Sequence, residues 1–280
     1  MKIMSYLCCM KTEIIILGTG NALVTRCYNT CFALRNEETI LLVDAGGGNG
    51  ILRQLSDAEI AIGDIHDLFV THAHTDHIIG ALWVIRVFLQ HKARGICQGN
   101  IRIYGHEKVI RVIQNMMRDM LPQKLVKEIG VSVIFKELND RDTFEVGNLR
   151  FQCFDILSTK EKQFGFTTCL PDGQKLVCLG DEPYNEYNRS LVEGADWLMS
   201  EAFCKYADRD TFKPYEKHHS TVKDAAQLAE ELGVRNLILY HTEDKTIHTR
   251  KRDYTAEASA YFHGNIFVPD DLEVIPISLS

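Results

Sequence analysis

Three histidines and an aspartate fall within six residues at His72-Ala73-His74-Thr75-Asp76-His77, and the flanks of that stretch constrain the whole chain. Before it runs Leu68-Phe69-Val70, short, apolar and partly β-branched, as a buried strand is. After it runs Ile78-Ile79-Gly80-Ala81-Leu82-Trp83-Val84-Ile85, which predicts a helix buried on most sides. The polar residues therefore sit between the carboxyl end of a strand and the start of a helix, where open α/β layers place their sites. A single loop histidine is ordinarily a solvated side chain. Three of them interleaved with a carboxylate have the chemistry of metal ligands, because imidazole suits zinc, iron and similar ions and the carboxylate adds charge. The two-residue spacing sets His72 and His74 on one side of an extended segment. Asp76 and His77, beyond the bend, can reach a second ion nearby.

The remaining chemistry-bearing residues also end apolar runs. Asp44 follows residues 39–43 and precedes three glycines, Asp181 follows Gly180, Glu201 follows residues 197–200, and His241 follows residues 236–240. His218-His219 stands just before a helical stretch, residues 222–232, for which Ser220 is the expected cap and Gly233 the stop. Other predicted elements include a strand over 131–135, a helix over 250–261, and a tail over 266–277 that adds an edge strand. Strand hairpins with helices between them occupy the first half, and the second half repeats the pattern. The fold signal begins at Thr12, so residues 1–11 read as a short extension and residues 12–280 as one domain.

The His-x-His-x-Asp-His pattern resembles the metal-binding motif of the metallo-β-lactamase superfamily, and the strand followed by Gly18-Thr19-Gly20 is similar to the opening of its ribonuclease Z-like members. The resemblance implies an α/β (α+β) fold, a four-layer αββα sandwich with two sheets face to face and helices outside. It implies two divalent metal ions, zinc ahead of manganese or iron. The metal ligands it gives are His72, His74, Asp76, His77, Asp181 and His241, with Asp181 bridging and His241 on the ion of Asp76 and His77. Asp44 would orient the ligand loops. The chain departs from the family where a third histidine is expected after residues 149–156. Leu157 stands there, so one metal position loses a ligand and is weakened. A buried leucine would also make that wall of the site drier.

Glu201 and His219 resemble the acid pair of ribonuclease Z and its phosphodiesterase relatives, which makes Asp76, Glu201 and His219 the expected catalytic residues. A histidinium held by a carboxylate can protonate the leaving alkoxide of a phosphodiester. Only 24 positions separate Leu157 from Asp181, room for one hairpin and not for the long arm of the enzymes that clasp transfer RNA. The formal net charge of -7 offers no general attraction for nucleic acid or an anionic membrane. The expected activity is thus that of a metal-dependent phosphodiesterase acting on a small phosphodiester or short nucleotide, with RNA less favoured and a homodimer left open. The alternatives are an ester, lactone or thioester hydrolase of the same fold, or a weakly active binding or regulatory protein, for which Leu157 is the main support. Nine cysteines without a Cys-x-x-Cys pair, several in apolar runs, suggest buried thiols in a reducing cytoplasm. No apolar run reaches the roughly 18 residues of a membrane span.

Overall fold

The computed structural model describes residues 12–37 and 39–278, and the extension expected at residues 1–11 lies outside them. The first strand, β1 (Thr12–Gly18), is buried along its whole length. Side chains alternate along a strand, so Ile14 and Ile16 join one apolar cluster while Ile15 and Leu17 join another. A strand buried on both faces needs a layer on each side.

Two seven-stranded sheets supply those layers. The first runs in the order β14 (Val274–Ser278), β1, β2 (Cys31–Asn36), β3 (Thr39–Val43), β4 (Asp67–Phe69), β5 (Ile101–Gly105), β6 (Val133–Glu137). The second runs β13 (Asn265–Phe267), β12 (Asn236–Tyr240), β11 (Trp197–Glu201), β10 (Lys175–Cys178), β9 (Phe164–Cys169), β8 (Leu149–Asp155), β7 (Thr143–Val146). Helices α1 (Gly50–Asp57), α2 (Thr75–Ala93), α3 (Glu107–Met120) and α4 (Gln123–Val126) pack on the outer face of the first sheet. The outer face of the second is covered by α5 (Arg189–Val192), α7 (Val222–Glu231) and α8 (Ile247–Ala258), with α6 (Arg209–Phe212) a single turn before α7. Between the sheets Phe69 stacks on Phe144 and meets Phe166 edge-on at centroid distances of 5.5 and 5.6 Å. This is the four-layer αββα sandwich.

Strands β3 to β6 are parallel, as are β10 to β13. Their carboxyl ends therefore gather the loops after β3, β4, β10, β11 and β12 along one edge of the sandwich. Those loops carry Asp44, the His72–His77 stretch, Asp181, Glu201 and His241.

Four expectations are corrected. The tail is not one edge strand but two, β13 on the second sheet and β14 on the first. Between them Asp271 accepts from the Thr19 N–H at 3.0 Å and its hydroxyl at 2.8 Å, which carries the chain from one sheet to the other. The cap of α7 is Thr221, not Ser220: Thr221 and Asp224 form a reciprocal capping box, while the Ser220 N–H is taken by Glu201. Helix α8 starts three residues earlier than predicted, because the Glu243 carboxylate accepts from the Lys245 and Thr246 N–H groups and organises its first turn. Strand β6 starts at Val133, since Gly130 at φ 79 makes a turn that leaves Val131 exposed. Cys31, Cys153, Cys178 and Cys204 are buried free thiols, whereas Cys169 is exposed. Among the described residues no helix is long and apolar enough to cross a membrane.

Candidate metal centre

Helix α2 is held against the loop after β3 at close range. The Ala45 N–H donates to His77 O and the Gly80 N–H to Gly46 O, each at 2.9 Å. A Cβ on Gly80 would come within 1.8 Å of Ala45 O, so only glycine permits this approach. Asp44 takes φ 55, a left-handed conformation that Asp tolerates. Its Oδ1 accepts from the Thr71 N–H at 2.8 Å, and its Oδ2 from the Thr71 hydroxyl at 2.8 Å and His77 Nδ1 at 2.7 Å. That is the orienting role expected of it, and it fixes which nitrogen of His77 faces the site.

His77 Nε2 then lies 3.3 Å from Asp76 Oδ2 and 3.3 Å from Asp181 Oδ2. Asp181 Oδ2 is also 3.6 Å from His72 Nε2 and 3.4 Å from His241 Nε2. His72, His74 and Asp181 have ligand atoms within 4.8 Å of one another, and so do Asp76, His77 and His241. All six expected ligands thus converge in two adjoining triads, and five of the six are buried, with His74 half-buried.

These residues suit divalent cations. His77 Nε2 and both ring nitrogens of His241 are buried without a hydrogen-bond partner, a costly state for polar atoms that nothing coordinates. Burial holds the His72 imidazole well below its ordinary range, hence neutral as a ligand must be. Burial would raise Asp76 and Asp181, yet the surrounding imidazoles hold both carboxyls well below the usual range. Burial would likewise lower His77, yet Asp44 and Asp76 push it well above its ordinary range, the mark of a cluster with excess negative charge.

Leu157 is not the buried wall residue expected. It follows β8 at φ 58, is 45% exposed and lies outside the cavity lining, because its N–H turns back to Asp155 Oδ1 at 2.8 Å. Ser158, beside it, donates to Glu182 at 2.8 Å.

Glu201 and His219 also come together, with Nδ1 3.7 Å from Oε2. This is proximity without a hydrogen bond, since Glu201 Oε1 accepts the Ser220 N–H at 2.5 Å and its Oε2 is unpartnered. Burial raises the Glu201 carboxyl well above its ordinary range and brings the His219 imidazole down to about 3. Of the two adjacent histidines only His219 faces inward, stacked on Phe203 at 5.0 Å, while His218 is exposed and bonded to the Thr159 hydroxyl at 2.8 Å.

A cavity of about 550 Å³ opens over the triads, lined by His74, Asp76, Asp181, His219 and His241. Its rim holds residues that sequence reasoning passed over: Leu23, almost fully exposed, with Phe203, Lys160 and Lys217. Lys160 Nζ donates to Lys217 O at 2.8 Å and lies 3.5 Å from Glu182, so two separate loops form one cationic wall. Nothing in Ser-Thr-Lys-Glu-Lys distinguishes that loop from an ordinary solvated one.

The family described as "Anti-Pycsar protein Apyc1" matches residues 12–260. A ribonuclease Z of Thermococcus onnurineus (strain NA1) is 27% identical over 307 aligned positions, covering 94% of each chain. Among solved structures, the metallo-β-lactamase fold protein YhfI from Bacillus subtilis superposes with a TM-score of 0.74 at 18% identity, covering 95% of this chain and 99% of its own. Human tRNase Z, short form, gives 0.71 at 22% identity, covering 95% and 100%. The sandwich is therefore the metallo-β-lactamase fold, and its buried triads make the chain a metal-dependent hydrolase.

Proposed function

From the premise that the chain belongs to the anti-Pycsar protein Apyc1 family, we propose that it acts as that family's name says, against Pycsar, by hydrolysing a small, nucleotide-sized phosphodiester. The observation that carries this reading is His219, which lines the same cavity as both triads with Glu201 behind it. Hydrolysis of a phosphodiester expels an alkoxide that needs a proton at neutral pH, and this pair stands where one can be delivered. A carboxylic ester with an activated leaving group makes no such demand.

His72, His74 and Asp181 would hold one ion and Asp76, His77 and His241 the other, with Asp181 shared. Zinc is the first choice for such a donor set, with manganese or iron next. Divalent ions bound there would acidify a water and neutralise charge that develops on phosphoryl oxygens. Asp76, placed between His77 and His241 at 3.3 and 3.7 Å, would orient the attacking side of the site. Glu201 would give a proton to His219 Nδ1 as the proton on His219 Nε2 goes to the leaving oxygen. Lys160 and Lys217 receive the anionic substrate, and Phe203 and Leu23 offer apolar surface to its remainder.

The cavity volume suits a nucleotide-sized ligand. A transfer RNA substrate finds little support. The β8–β9 connection is a short loop over residues 156–163, the β9–β10 connection is a hairpin turn, and no long arm occupies that region.

The leaving group tests the assignment. His219→Ala should slow diesters with poor leaving groups by roughly 10²–10⁴-fold and p-nitrophenyl diesters much less. Equal slowing of both would remove His219 from proton delivery and return the ester, lactone or thioester reading to contention.

A further inference from the structure

Asp181 presents its two oxygens unequally. Oδ2 faces the imidazoles of both triads, 3.3 Å from His77, 3.4 Å from His241 and 3.6 Å from His72. Oδ1 is turned away and accepts from the side-chain amide of Gln163 at 2.5 Å. A free carboxylate rotates about its last bond and can chelate one ion with both oxygens. Here something prevents that.

We infer that Gln163 is a positioning residue that holds Asp181 with one oxygen, Oδ2, turned to both triads. The surroundings are built for it. Gln163 is 1% exposed, and its main chain is pinned on both sides. Its carbonyl accepts from Ile156 at 3.1 Å, and the next residue, Phe164, donates to Thr71 O at 3.0 Å, one residue before His72. The amide crosses the face of Gly180, where a Cβ would stand 2.8 Å from Gln163 Nε2. Gly180, at φ 86, leaves that passage open, and its own carbonyl is held by the Tyr240 hydroxyl at 2.5 Å. Both the backbone before Asp181 and its side chain are thereby fixed.

The energetic logic follows from the donor count. The position of His72, His74 and Asp181 offers only these three protein ligands, so its affinity depends on each being pre-oriented. A carboxylate held in place loses less freedom on binding an ion than one that must first be ordered. Gln163 needs no contact with the ion to act, and it acts only through Asp181.

The inference rests on the metal-centre reading, and its test is independent of substrate. Chelator-stripped protein is titrated calorimetrically with zinc, and manganese-loaded protein is read by electron paramagnetic resonance. Gln163→Met fills the space without a donor, and Gln163→Asn keeps an amide too short to reach. Each should weaken zinc binding at the position of His72, His74 and Asp181 by about 10–100-fold. Any exchange-coupled manganese signal of the parent should diminish in both. Circular dichroism of the stripped proteins identifies the variant that retains the fold, and that variant decides. A purely structural glutamine would lower the melting temperature and leave zinc affinity within about twofold, which would overturn the inference. Failure of phosphodiester hydrolysis alongside the expected loss of zinc affinity would count against the proposed activity and not against Gln163.

Discussion

At the scale of single residues, Leu157 and His106 sit uneasily where they are. Leu157 holds a left-handed backbone at φ 58 with its side chain 45% exposed, a conformation that histidine accepts more readily than leucine. Leu157→His should therefore relieve strain and raise the melting temperature of the chelator-stripped protein, and a lower melting temperature would contradict this. His106 ends β5 on the same edge, and neither ring nitrogen has a hydrogen-bond partner. Burial, with Lys162 nearby, lowers it from 6.5 to about 4. The unfolded chain thus takes up a proton that the folded one refuses. Its contribution to stability is whole above pH 6.5 and is lost as pH falls toward 4. In chelator, the denaturation midpoint of the parent should fall more steeply across that window than that of His106→Leu, and parallel curves would contradict this. The six expected ligands were legible in the sequence because His72, His74, Asp76 and His77 form one motif after an apolar run and Asp181 and His241 follow apolar runs of their own. The side-chain turn of Leu157 and the amide of Gln163 depend on tertiary contacts between residues far apart in sequence, which no local pattern carries.

At the scale of elements, the site depends on how closely α2 approaches the loop after β3. Gly80→Ala would press a methyl into Ala45 O, and such overpacking costs roughly 1–3 kcal/mol. Because that contact also holds His77, the variant should bind zinc more weakly as well as melt earlier. A lower melting temperature with unaltered zinc affinity would separate the helix contact from the site. The strands were readable as short apolar runs, since β1, β2 and β3 each bury side chains on two faces. Helix starts were less so. Just before α7 and α8, Glu201 takes the Ser220 N–H and Glu243 the Lys245 and Thr246 N–H groups, bonds that exist only once the fold brings those carboxylates there. The pairing of the 157–163 loop with residues 213–219 was likewise invisible, because Thr159, Lys160, Lys217 and His218 read singly as solvated polar residues.

At the scale of the whole molecule, two sheets, each with a parallel run, bring chemistry from five strand ends to one edge, and a tail that spans both sheets holds that edge together. Arg250, 1% exposed, donates to the Thr242 hydroxyl at 2.7 Å and to Pro269 O at 3.0 Å, tying the segment after His241 to the chain end. With a formal charge of -7 for the chain, the cationic wall of Lys160 and Lys217 is a local feature set against the rest of the sequence. The proposed two-ion phosphodiester hydrolysis is tested by stripping the protein of metal, reloading it with zinc or manganese, and following bis-p-nitrophenyl phosphate beside p-nitrophenyl acetate as a function of metal bound. Diester hydrolysis should rise with occupancy while the ester stays at background. Ester hydrolysis without diester hydrolysis, or no diester hydrolysis with both positions filled, would contradict it.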